Sequence, residues 1–214
     1  MQLTEPTHAE SEERQRFQLE RFILFTDAVF AIAITLLIIE IKVPHIEGVY
    51  ADEKLAHALL HQIPEWIGFL VSFSIIGLFW NAHHRMFGYV RSYDKRLIFL
   101  NFLFLMSIVV MPFTSALYSS YISRDLPLFI YCFNTALTGL LQSLLWLHIT
   151  SGRRELSYFV SKRQRQHDLW RGAVVPFVFL LAALLSYVNP WVARSSFALV
   201  FVFQWIISRY YKSN

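Results

Sequence analysis

Arg21-Phe-Ile-Leu-Phe25-Thr26-Asp27-Ala-Val-Phe-Ala-Ile-Ala-Ile-Thr-Leu-Leu-Ile-Ile-Glu40 is the stretch that decides the fold. From Ala28 to Ile39 it carries no charge, and its flanks extend the apolar character over about residues 20–43. Crossing the hydrocarbon layer of a bilayer takes ~20 helical residues, so this segment predicts a membrane span. Asp27 sits about a turn inside it. A carboxylate there costs on the order of 2.5–3.5 kcal/mol at mid-membrane and less near the interface, so Asp27 requires partners.

Five further windows of the same length follow, at about 65–87, 97–119, 126–151, 169–188 and 190–211. Pro64, Pro127 and Pro190 stand where spans begin, as proline's fixed φ and missing donor favour at a first helical turn. Pro112 and Pro176 fall inside spans, where each deletes one bond of the backbone ladder. The fold class expected is all-α integral membrane, with six transmembrane helices in residues 20–214 and a polar N-terminal segment over 1–19. Residues 44–63 form an outer loop with room for a short helix bearing Glu53, Lys54 and His57.

Composition agrees with a lipid solvent. Only 16% of the 214 residues are charged, against about a quarter in soluble domains. Twenty Phe, ten Tyr and six Trp suit helices that face lipid and end in aromatic belts. A net charge of +4 raises nucleic acid as a partner, but the basic residues are scattered between apolar runs and form no phosphate-binding face. Cys132 is the only cysteine and has no intrachain partner. The polar start of the chain lacks the basic and apolar regions of a cleavable signal, so the first span is expected to direct insertion.

The nineteen Lys and Arg sort unevenly between the two sides. One side receives Arg14, Arg16, Arg21, Arg85, Arg91, Lys95, Arg96, Arg153, Arg154, Lys162, Arg163, Arg165, Arg171, Arg209 and Lys212; the other has Lys42, Lys54, Arg124 and Arg194. Basic residues favour the cytoplasmic side, so an even number of spans with both termini in the cytoplasm is expected.

Within the first span, Ile32, Thr35, Leu36 and Ile39 recur at offsets of three, four and seven, and so share one helical stripe. At 100° per residue Asp27 lies about 140° round the helix from Ile32. Ala28, Ala31 and Thr35 add a small-residue stripe of the kind that lets helices approach closely. Such stripes line a pore or serve ordinary helix packing, and the residues alone leave both open. For Asp27, the end of the second span offers partners: Trp80, Asn81, His83, His84 and Arg85. That cluster reads either as a gating or proton-sensitive network or as a structural hydrogen-bond cluster.

The run Arg21-x-x-x-Phe25-Thr26-Asp27 with its apolar continuation resembles the Arg-x-x-x-Phe-Ser-Asp signature of the endolysosomal and bacterial transmembrane potassium channel family. Thr26 replaces the family's usual Ser and keeps the hydroxyl. The His83-His84-Arg85 end of the second span and the six-span length resemble its bacterial branch. The resemblance implies a homotetramer in a bacterial inner membrane, with four first helices around a central pore and potassium as the permeant ion. It also implies a constriction at Ile32, further rings at Leu36 and Ile39, and a hydroxyl ring at Thr35. No Thr-Val-Gly-Tyr-Gly filter stretch occurs in the chain. A ring of branched apolar side chains gates by dewetting, while hydroxyls replace part of an ion's hydration shell.

Other signals are weaker. His57 and His61 lie one helical turn apart near Asp52 and Glu53, a partial zinc ligand set that is short of a complete site. The basic run from Arg153 to Arg171 attracts anionic headgroups or simply fixes topology. No nucleophile elbow, phosphate loop or metalloprotease motif is present, so neither enzymatic activity nor a cofactor is expected. The expectation is a potassium-selective cation channel; the alternative is a proton-coupled transporter that uses Asp27 with His83 or His84 as a relay.

Overall fold

The computed structural model describes residues 8–46, 51–122, 124–151 and 156–213. Arg153, Arg154, the first seven residues of the N-terminal segment and 47–50 of the outer loop lie outside the described residues. The described residues form eight α-helices, in order α1 (His8–Ile39), α2 (Ala51–His61), α3 (Ile63–Phe87), α4 (Lys95–Ser120), α5 (Asp125–Ile149), α6 (Lys162–Ser186), α7 (Pro190–Ser195) and α8 (Leu199–Ser213). Among the described residues, six helical segments are long and apolar enough to cross a membrane: α1 from Glu13, α3, α4, α5, α6, and α7 with α8 over Trp191–Tyr211.

Local chemistry explains the boundaries. Asp94 caps α4 by accepting a hydrogen bond from the Leu97 backbone N–H at 2.7 Å, and Asn189 caps α7 through the N–H groups of Trp191 and Val192. Pro64 and Pro190 fall in the first two positions of α3 and α7, and Pro127 is the third residue of α5. The short outer helix expected around Glu53, Lys54 and His57 is α2.

Three spans differ from the hydropathy reading. The fifth span was expected to start at Leu169, but α6 begins at Lys162, because Ser161 caps it by accepting from the Gln164 N–H at 3.1 Å. The helix therefore continues two turns beyond its apolar part. The last span is not one uniform helix: a 3₁₀ turn over Ser196–Ala198 joins α7 to α8. In α1 the helix already runs through 8–19 and ends at Ile39, short of Val43.

α4 and α5 form the centre of the bundle. α4 packs on α1, α3 and α5, and α6 packs on α5, α7 and α8. α5 and α6 approach closely at Gly139, where a Cβ would lie 2.5 Å from Pro176 Cδ. Only a glycine fits against that ring. Buried polar groups are joined between helices: Ser72 bonds Ser115 at 2.7 Å and Tyr131 at 3.0 Å, and Gln142 donates to the Phe79 carbonyl at 2.8 Å. Such pairs orient membrane helices, where no hydrophobic difference drives them together.

Polar contacts define one end of the bundle. Tyr93 at the α3–α4 turn bonds Gln18 of α1. His148 at the end of α5 reaches the Asp94 carboxylate at 3.0 and 3.1 Å. Trp146 donates to the Arg165 carbonyl at 3.0 Å, and Arg163 to the Tyr211 carbonyl at 3.1 Å. The N-terminal part of α1 and the end of α8 therefore share this basic end, as an even number of crossings requires.

Candidate functional site

α1 has two unlike faces. Thr26, Phe30, Ala33 and Leu37, spaced four, three and four apart, are buried against α3 and α4. On the far side, Ile32 is 60%, Leu36 38% and Ile39 61% exposed, with Thr35 exposed between them. The stripe read from the sequence is thus continuous and uncovered in the single chain. Phe30 holds the opposite face rigid by packing on Phe104 and His83, with centroids at 5.8 and 6.0 Å. The Thr35 hydroxyl donates back to the carbonyls of Ala31 and Ile32 at 3.0 and 2.9 Å. Its oxygen lone pairs are left on the exposed face.

The residues of the Arg21–Asp27 run divide into two groups. Thr26 is fully buried and belongs to a directional chain of hydrogen bonds across three helices. His83 Nε2 donates to Asn101 Oδ1 at 2.9 Å, Asn101 Nδ2 donates to Thr26 Oγ1 at 3.0 Å, and Thr26 donates to the Phe22 carbonyl at 3.0 Å. A Ser at position 26 could make the same two bonds, since both run through Oγ. The His83 ring is stacked against Phe87 at 4.1 Å and Phe104 at 5.6 Å.

Asp27, on the flank between the buried and exposed faces, accepts from Trp80 Nε1 at 3.0 Å. Trp80 in turn stacks on His84 with centroids 5.5 Å apart. Asp27 thus meets the end of α3 as expected, through the indole of Trp80. Asn81 is elsewhere, accepting from Arg85 at 2.8 Å on its own helix. Phe25 packs on Phe102 at 5.9 Å, and Arg21 lies 5.9 Å over the Phe17 ring. Asn101 was missed in the sequence; its only signal is an amide inside the otherwise apolar stretch from Leu97 to Met106.

His57 and His61 are exposed on α2 with ring centroids 4.5 Å apart. Among the described residues, no group of three or more His, Cys, Asp or Glu side chains is placed to hold a metal.

Comparison with known proteins bears on this arrangement. The family model described as endosomal/lysosomal potassium channel TMEM175 matches residues 21–112, a range that contains Arg21, Thr26, Asp27, Trp80, His83 and Asn101. A potassium channel of Streptomyces collinus is 40% identical over 130 residues, 59% of this chain and 62% of that protein, so the match spans under two thirds of that relative. A potassium channel of Chamaesiphon minutus is 31% identical over 172 residues, covering 79% of this chain and 84% of the relative. The crystal structure of a lysosomal potassium-selective channel TMEM175 homolog from Chamaesiphon minutus superposes with a TM-score of 0.75 at 29% identity, over 89% of this chain and 98% of that one.

Proposed function

This multi-pass membrane protein belongs to the TMEM175 family, and from that premise we propose that it is a potassium-selective cation channel whose conduction path is lined by α1. The observation that carries the reading is the exposed stripe of Ile32, Thr35, Leu36 and Ile39, held on a helix whose other face is locked into the bundle. One chain supplies one such helix. A closed pore then needs several copies, and a homotetramer brings four stripes around one axis, with both termini on the cytoplasmic side of a bacterial cell membrane.

In that assembly Ile32 and Ile39 form apolar rings, Leu36 another, and Thr35 a ring of oxygens. A narrow ring of Ile side chains excludes water and closes the path by dewetting. The Thr35 hydroxyls have their protons committed to backbone carbonyls, so they present lone pairs to a cation. Asp27, about 140° from Ile32, stays outside the path and is held by Trp80. Its part is to fix the rotation of α1 against α3.

The test is ion flux through the purified full chain in liposomes, comparing potassium, sodium and an impermeant organic cation, with Ile32→Asn as companion. Potassium-favouring flux raised by the substitution is expected, because a polar ring stays wet. Flux that is slow and tied to a proton gradient, or untouched by Ile32→Asn, would remove α1 stripe gating.

A further inference from the structure

α3 packs on α1, α4 and α5, but it has no extended contact with α6 or α8. A cavity of about 40 Å³ lies between them near the basic end of the bundle. Its polar walls come from four helices: Asn81 and Arg85 of α3, Gln142 of α5, Asp168 and Arg171 of α6, and Gln204 of α8. One ordered water needs about 10–15 Å³ and two to four polar partners, so the space admits about three. Arg171 also lines a wider, more open cavity of about 200 Å³ along α6 and α8, and so stands where the inner space meets a way out to the basic end.

The bonds within the chain leave this lining with donors and acceptors to spare. Each guanidinium carries five N–H donors. Arg85 spends one on Asn81 Oδ1 at 2.8 Å. Arg171 spends Nε on Gln204 at 2.8 Å, and Gln204 returns a bond to the Arg171 carbonyl at 2.9 Å. Gln142 is buried and gives its amide N–H to the Phe79 carbonyl at 2.8 Å, which leaves Oε1 as an acceptor. The Asp168 side chain is only 7% exposed. Its Oδ2 accepts from Gln164 at 2.8 Å, while its Oδ1, 3.3 Å from His167 Nδ1, accepts no well-aligned hydrogen bond among the described residues.

That mixture selects the occupant. An anion would meet the Asp168 carboxylate, and a cation would meet two guanidiniums. Water donates and accepts, and so serves both kinds of group. We propose that the cavity holds a cluster of about three ordered waters, admitted past Arg171, that joins Arg85 of α3, Gln142 of α5 and Asp168 of α6 in one hydrogen-bonded bridge. The bridge takes the place of the direct packing that α3 lacks against α6, and it keeps the carboxylate of Asp168 in contact with water.

Hydroxyl radicals made by X-ray pulses in the purified full chain oxidise side chains that lie beside water, even buried ones, and so read the site without any ion flux. Phe79 and Trp146 line the cavity although each is only 1% exposed. Phe104 and Phe179 are as deeply buried and lie outside it. Phe79 should be oxidised severalfold faster than either of those two phenylalanines. Gly172→Ala adds a methyl group to the cavity wall, 3.3 Å from Ser143 Oγ, and should slow the oxidation of Phe79 and Trp146 together. If that variant fails to fold, Phe79 against Phe104 and Phe179 in the unsubstituted chain decides the matter. Oxidation of Phe79 no faster than that of Phe104 and Phe179, or oxidation unchanged in a folded Gly172→Ala chain, would overturn the assignment. Protection of Phe79 by added chloride would overturn it too, since the occupant would then be an anion.

Discussion

Replacing Asn101 with Leu probes whether the bonds inside the bundle hold α1 to α3 and α4 or merely accompany packing. The change keeps the side-chain volume roughly constant but deletes two hydrogen bonds of 2.9 and 3.0 Å and leaves the His83 donor facing an apolar wall. Interhelical hydrogen bonds in membrane proteins contribute about 0.6 kcal/mol on average and up to ~1.7, and an abandoned buried donor costs about 1–3 kcal/mol. A loss of about 2 kcal/mol is expected for Asn101→Leu. His83→Phe removes one of the same bonds yet keeps the stack on Phe87 and Phe104, so about 1 kcal/mol is expected for it. With Phe at 83 no donor is left stranded, and the double variant should be more stable than the sum by about 1 kcal/mol. Reversible unfolding of the detergent-solubilised chain, followed by circular dichroism, gives all four corners of the cycle. Additivity within ~0.3 kcal/mol would refute the claim that His83 and Asn101 act as a unit.

Three other outcomes follow from the same structure. Gly139→Ala should destabilise by about 1–3 kcal/mol by overpacking, since its Cβ would meet Pro176 Cδ at 2.5 Å; Gly139→Ala/Pro176→Ala should recover most of this in the same unfolding assay. Asp27→Asn retains an oxygen for Trp80 Nε1 and should leave ion flux within about twofold, whereas Asp27→Leu should lower folded yield, because the indole N–H then loses its partner. Thr35→Val keeps the shape but removes the exposed oxygen, and should reduce the potassium-to-sodium flux ratio more than the total flux.

Much of the fold was legible because lipid imposes a coarse rule: residues 65–87 or 126–151 are apolar for long enough to span, and prolines at 64 and 127 mark where they start. What hydropathy cannot see is helix that continues in water. The first two turns of α6, Lys162 to Asp168, carry polar side chains, and only the Ser161 cap shows that they are helical. Nor does an apolar window distinguish i+3 from i+4 bonding, which hid the 3₁₀ turn at Ser196–Ala198. The α1 stripe was readable from periodicity alone, since its exposed and buried faces alternate as a helix dictates. The partners of its polar residues were readable only in part. Asp27 met Trp80, one of the partners the end of the second span offered, but Asn81 turned to Arg85 and Asn101 came from a span that looked featureless, because pairing across helices depends on rotation and depth that one sequence does not encode.

The way Thr35 satisfies its own proton bears on how the protein is made. With the hydroxyl returned to Ala31 and Ile32, the α1 stripe offers lipid almost no unmet donor. A newly inserted chain can thus finish folding with this face against acyl chains. For the proposed homotetramer, biogenesis would separate into two events: closure of the six spans, which depends on groups such as Asn101 and Gly139, and a later lateral meeting of finished chains, whose rate would depend on how many are in the bilayer.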